Sequence, residues 1–206
     1  MKTNHTLSSV LYLPGTCYFF GDTRGNLSYF TDSVVVASSS SSSSKLRLPE
    51  SRLMHLHSTS PVSRIVRDPR SGVVRTIGHD GYLTALEVAE GGSMRRLRRT
   101  RATFASALTD LHILENSDVV IGGFRASIYI LFNVTQSYQL LQIDAGGWKR
   151  PREFSFHFHF GEQFGVSMKL ALVNNRSSGQ QKKCERGRAR RSVSQSAFKI
   201  SLRFIQ

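Results

Sequence analysis

The sequence predicts an all-β chain: an incomplete β-propeller of about three blades, followed by a basic, disordered C-terminal tail. Three observations lead there. A glycine-spaced segment occurs three times, the copies are spaced like propeller blades, and the composition changes after Phe160. The copies read GDTRGNLSYF from Gly21 to Phe30, GHDGYLTALE from Gly78 to Glu87, and GGFRASIYILF from Gly122 to Phe132. In each, a glycine precedes a tight turn and a small residue (Gly25, Gly81, Ala126) sits in it. An aliphatic residue follows the small one by two positions (Leu27, Leu83, Ile128), and an apolar one follows it by five (Phe30, Leu86, Leu131). A strand leads into each copy, at 16–20, 73–77 and 119–121. Strand, turn and strand at a period of roughly 45 residues is the signature of a propeller blade.

The spacing also marks an insertion. Gly81 and Ala126 are 45 residues apart, whereas Gly25 and Gly81 are 56 apart. The longer interval holds the unbroken serine run Ser38–Ser44. A homopolymeric polar run cannot pack into a core, so residues 38–52 are expected to form a flexible loop between blades. Residues 1–37 form a first partial blade ending at Val34–Val36, and residues 53–160 form further blades. Within these, 53–57 and 62–67 alternate as strands, Asp68–Gly72 turns, and 73–77 with 82–88 complete a second blade. A third blade is expected from 108–114, 119–121 and 127–134, turning at Glu115–Asp118, and a fourth is expected to begin at Tyr138–Ile143. After Phe160 no blade turn recurs. Ser, Gln, Lys and Arg dominate 176–196, a composition that buries too little apolar area to offset chain entropy. Residues 161–206 are therefore read as disordered, with room for a short element near Phe198–Ile205. An array of about three blades leaves strand edges unpaired, which suggests a piece of a longer protein or one completed by a partner.

Composition narrows the classes of function. Cys17 and Cys184 are the only cysteines, too few for a disulfide framework or a zinc ligand set. A reducing, cytoplasmic setting is expected. No stretch of eighteen apolar residues exists, so neither a membrane-spanning helix nor a membrane partner is expected. Net charge is +14, and it is concentrated: Ser93–Arg101 (SMRRLRRTR) contributes +5 and residues 161–206 contribute +8. Localised positive charge points to an anionic partner. In the nonapeptide, Arg95, Arg96, Arg98, Arg99 and Arg101 fall where one blade passes to the next. If the segment is extended, Arg96 and Arg98 face opposite to Arg95, Arg99 and Arg101. Such a strand must be exposed or bound, because burying it needs paired anions. RNA phosphates and an acidic protein surface both suit guanidinium geometry. Trp148 beside Lys149, Arg150 and Arg152 sets a stacking platform next to charge, as in single-strand RNA contacts. A structural tryptophan with a solvated basic turn is the plainer reading of that cluster.

The segments GDTRGNLSYF, VVRTIGHDGYLTALEV, VVIGGFRASIYILFN and GGWKRPREFSFHF resemble the WD repeat-containing protein 6 family over residues 10–160. The resemblance implies a WD40-like propeller, and a non-catalytic regulatory subunit working with the catalytic subunit of a tRNA ribose 2′-O-methyltransferase and with tRNA. It also implies a truncated member, since most of the family's blades are missing. No Trp-Asp dipeptide is present, and Phe30, Leu86 and Leu131 take the Trp position. The alternatives left open are a basic nucleic-acid-binding protein and a general protein-interaction module.

Catalytic chemistry finds little support. His55/His57 and His157/His159 would put two rings on one face of a strand, but no nearby Cys, Asp or third His completes either pair, although Glu162 lies close in sequence to the second. Phosphate-binding, dinucleotide and serine-nucleophile motifs are absent. His79-Asp80 is read as turn chemistry, with Asp80 capping a bend. No enzyme activity, catalytic residue, metal or cofactor is expected.

Overall fold

A computed structural model describes residues 6–14, 16–31 and 49–146 in full, and the backbone alone of 152–159, 165–173 and 195–203. Every regular element among the described residues is a β-strand. Three four-stranded antiparallel sheets follow one another along residues 1–148, each a meander of neighbours in chain order. The first is β1 (Leu7–Leu13), β2 (Cys17–Asp22), β3 (Leu27–Thr31) and β4 (Ser51–Leu53). The second is β5 (Val62–Arg67), β6 (Val74–Gly78), β7 (Tyr82–Val88) and β8 (Met94–Arg101). The third is β9 (Ala107–Ile113), β10 (Val119–Arg125), β11 (Ile128–Asn133) and β12 (Tyr138–Asp144). The first strands lie side by side, β5 between β1 and β9, so the sheets radiate from a common inner line with β4, β8 and β12 outermost. This is the arrangement of propeller blades, and the all-β blade array expected from the repeats is the fold observed.

The two recurring apolar offsets now have a physical meaning. They are three residues apart, so on a strand they point to opposite faces. Leu27 and Leu86 meet in the core between the first and second sheets, with Phe19, Val62 and Val74. Leu83 instead packs toward Leu108, Leu111 and Ile121, in the core between the second and third sheets. A blade with a neighbour on each side needs apolar residues on both faces, which is why strict alternation of polar and apolar residues is weak here.

The turn residues recur for a backbone reason. Gly25, Gly81 and Ala126 all have left-handed φ, at +76°, +77° and +53°. Each turn also receives the segment leaving the fourth strand of its own sheet. His57 N–H donates to Gly25 O (3.1 Å), Ala102 N–H to Gly81 O (2.9 Å) and Ala145 N–H to Ser127 O (2.9 Å). At Gly78, before the second turn, an added Cβ would lie 2.6 Å from His57 Nδ1. Only glycine fits beneath that ring.

Several boundaries differ from those expected. The first sheet resumes beyond the serine run, because Ser51–Leu53 pairs with β3 through Leu27↔Leu53 and Tyr29↔Ser51. The insertion therefore falls within a blade and not between two. A three-residue strand is too short to show periodicity, so this element had no signal. The rest of the expected strand at 53–57 is turn, with His55 at φ +53°. Tyr138–Asp144 completes the third sheet and does not begin a fourth; the four-residue connection 134–137 can only return the chain along β11. Residues 32–48, including Val34–Val36 and the serine run, lie outside the described residues.

A separate unit, 149–206, contains a three-stranded antiparallel sheet of β13 (Arg152–His159), β14 (Gly165–Val173) and β15 (Gln195–Arg203). Two of its strands fall where the composition suggested disorder. The register pairs Phe154 with Leu170, Phe156 with Met168 and Leu170 with Phe198. Apolar residues at every second position thus coincide across the sheet, a pattern masked by the intervening basic stretch.

Gly81→Ala is expected to destabilise the chain by about 1–2 kcal/mol from the left-handed φ alone. The new methyl would add to this by meeting Ser106 O at 3.1 Å. Gly91→Ala, at φ +90° but with nothing within 4 Å, should cost less. Urea unfolding of both variants checks the ranking; equal losses would show that the contact with Ser106 is immaterial.

Candidate partner interface

β8 carries all five arginines of the nonapeptide and forms the outer edge of the second sheet. An edge strand offers unpaired backbone groups to any passing strand, and charge on it discourages such pairing. That is one reason for the arginines' position, and it leaves their side chains at the surface. The strand forms because its inner neighbour supplies suitable partners. Glu87 lies opposite Arg95 in register, and its carboxylate accepts a bond of 2.7 Å from Arg95 Nη2. Both side chains are exposed, so the pair contributes only about 0.2–1 kcal/mol.

The faces differ from the alternation expected. A bulge at Leu97 pairs Leu86 with Arg96 but Ala85 with Arg98. The extra residue inverts the alternation beyond it. Arg96, Arg99 and Arg101 therefore share the face of Leu86 and Thr84, while Arg95 and Arg98 share the other. Both faces still carry charge, in a different distribution.

Arg99 has a structural role. Its Nη2 donates to Asp80 Oδ2 at 3.0 Å, and its guanidinium carbon sits 3.8 Å from the centre of the Tyr82 ring. Asp80 is the focus of a buried network. His57 Nδ1–H donates to Asp80 Oδ1 (3.0 Å), the other ring nitrogen meets Thr76 Oγ1 (2.8 Å), and Tyr82 N–H also donates to Oδ1 (3.2 Å). Burial opposes ionisation of Asp80. The hydrogen bond and charge of His57, the Tyr82 N–H and Arg99 outweigh it and hold the carboxyl below its ordinary range. Asp80 thus caps its turn, as expected, and a hydrogen bond joins it to His57. Sequence spacing could not show this, because His57 and Asp80 are 23 residues apart.

Arg96, Arg98 and Arg101 are exposed and make no ion pair among the described residues. Two open clefts between the second and third sheets take in Arg98 and Arg101. One, of about 350 Å3, brings Arg98 and Arg75 beside Leu83, Thr100 and Thr135. The other, of about 390 Å3, brings Arg101 and Arg125 together with Asp80, Thr103 and Ser106. Arg125 was not singled out in the sequence, since an isolated arginine at a hairpin turn has no distinguishing pattern. Trp148, Lys149 and Arg150 lie outside the described residues, as does the side chain of Arg152, which begins β13. His55 and His57 do not share a face: His55 is exposed in a turn and His57 is fully buried. No group able to hold a metal ion occurs among the described residues.

No protein-family profile matches the chain. The chain is 28% identical, over 173 residues, to the human tRNA (34-2′-O)-methyltransferase regulator WDR6. That match covers 73% of this chain and spans only 15% of the human protein's length. Among solved structures, it resembles the Cps50 (Swd1) β-propeller domain of Myceliophteria thermophila, at a TM-score of 0.50 and 9% identity. That likeness covers 82% of this chain and 50% of the other. It supports the propeller fold and nothing further.

Stability should fall with acid in two stages. Burial lowers the pKa of His79 and His112 from 6.5. Their neutral forms therefore favour the fold above pH 6.5, and stability drops as pH falls from there through the folded values. Asp80 and Asp68 are held below 3.8, Asp68 against its burial by Ser71, the Arg70 N–H and Arg75. Their contribution is present above 3.8 and is lost as pH falls through the folded values. Asp80→Asn should cost about 1.5–3 kcal/mol, the range for a hydrogen-bonded charge, and shrink the lower stage. Denaturant titrations between pH 8 and 2 would show this; an unchanged lower stage would remove Asp80 from the account.

Proposed function

We propose that this chain is a non-catalytic, cytoplasmic propeller scaffold that supports 2′-O-methylation of tRNA ribose by a separate methyltransferase. The observation that carries this reading is the sequence match to the human regulator. In the proposed mechanism the blades bind tRNA and the methyltransferase together, raising the effective concentration of one near the other. The methyltransferase supplies the catalytic groups and the methyl donor. Arg96, Arg98 and Arg101 face the RNA backbone, and Trp148 with Lys149, Arg150 and Arg152 forms a second contact. Arg95 and Arg99, already paired with Glu87 and Asp80, hold the strand in place and contribute less to RNA binding.

Phosphate contacts made by arginines position RNA without reading its bases. Replacing Arg96, Arg98 and Arg101 together with Gln should weaken different tRNAs alike. Counterion release predicts that the double-log salt slope becomes shallower by roughly 2–2.7 for three contacts. Replacing Arg95 and Arg99 with Gln should change the slope by less. Affinity measured in the full chain at several salt concentrations tests this, because the basic C-terminal residues contribute equally to every variant. An unchanged slope in the triple variant would contradict the RNA-facing role. If the triple variant instead fails to bind the methyltransferase, the strand contacts an acidic protein surface.

A further inference from the structure

The cleft holding Arg101 and Arg125 is assembled by three segments that fix one another. The link leaving β8 is pinned at one end by Ala102 N–H to Gly81 O (2.9 Å). At the other end Ser106 N–H (2.9 Å) and Ser106 Oγ (3.0 Å) both donate to Phe124 O. The second- and third-sheet turns are thereby held on either side of the opening. Arg125 Nη2 donates to Thr103 O at 2.6 Å. One of the five guanidinium N–H groups is engaged in that bond, which anchors the side chain beside the cleft while leaving four donors. Arg101 makes no ion pair among the described residues. The carboxylate in the lining, Asp80, has its charge answered by Arg99 and its oxygens occupied by His57 and the Tyr82 N–H. The field in the cleft is therefore set by two guanidinium groups, with the Thr103 and Ser106 hydroxyls beside them. About 390 Å3 is room for roughly a dozen waters at about 30 Å3 each, or for an oxyanion and its remaining hydration shell.

We propose that this cleft seats one phosphate group of a bound RNA backbone, gripped by Arg101 and Arg125. Guanidinium groups present paired N–H donors that match phosphate oxygens. RNA is favoured as the source because Arg101 is also the last residue of β8. From Arg96 to Arg101 the strand advances about 17 Å, at roughly 3.3 Å per residue, enough to track several phosphates of one strand. A lone phosphorylated side chain would use the cleft and leave the rest of the rim idle. The inference rests on the RNA reading above for the source of the phosphate, and it adds Arg125, which lies on the third sheet.

Arginine Nε–H signals of the full chain would be followed by NMR in two arms, one with inorganic phosphate and one with a single-stranded oligoribonucleotide. Arg101 and Arg125 should respond to both probes, and Arg96 and Arg98 chiefly to the oligonucleotide. Arg125→Gln should abolish the phosphate response, weaken the oligonucleotide about 3- to 10-fold and flatten its salt slope by about 0.7. Arg125→Lys, which keeps the charge and a donor for Thr103 O, should lose less affinity and guards against misfolding. If Arg125→Gln leaves affinity and slope unchanged while the triple β8 variant still weakens binding, the cleft proposal is overturned and the RNA reading survives. If inorganic phosphate shifts Arg101 and Arg125 but the oligonucleotide does not bind, RNA is overturned as the source.

Discussion

The Asp80 carboxylate organises this part of the propeller. It lies at the turn between the middle strands of the second sheet and is nearly buried. It binds a histidine from the connection out of the first sheet, a backbone N–H of its own turn and an arginine from the outermost strand. One ionised group thereby ties inner connection, turn and rim together. Leaving any of these polar groups unanswered in the interior would be costly. The same contacts divide the arginines: Arg99 is committed to the fold and backed by the Tyr82 ring, while Arg96, Arg98 and Arg101 make no ion pair among the described residues.

Packing between sheets sets the second constraint. Each blade is flat and must cover apolar residues on both faces with its neighbours. On the first sheet one face is buried against the second, and the other carries a run of rings: Tyr12 stacks on Tyr18 at 4.5 Å, Tyr18 lies beside Phe20, and Phe20 meets Phe30 edge-on. Phe30 occupies the offset that Leu86 fills in the second sheet, where it is buried against the first. Tyr12 is 47% exposed and Val10 53%, so this apolar face is less covered than the one packed on the second sheet. Rings in contact along it recover part of the area through one another.

Much of this architecture was legible in the sequence, because blades repeat. The three glycine turns, the period and the paired apolar offsets each follow from a local requirement: a left-handed residue, a close backbone approach and two buried faces. What escaped notice was non-local or brief. β4 is three residues beyond a long polar insertion, and the bulge at Leu97 depends on how β8 seats on β7. The His57–Asp80–Arg99 network joins residues far apart in sequence. In the candidate site the charged strand was evident from charge density alone. Its division into paired and unpaired arginines, and its connection to Arg125, required the fold.

A blade edge stiffened through Asp80 carries arginines that are unpaired among the described residues, beside a cleft at the Gly81 end of the sheets. Amide hydrogen exchange of the full chain, with and without tRNA, most directly tests the proposed account of tRNA binding there. The account predicts slower exchange on tRNA addition across 94–106 and at the 125–127 turn. Turns at the opposite end of the sheets, 68–73 and 114–118, should be unaffected. Protection confined to those opposite turns, with 94–106 unchanged, would contradict it.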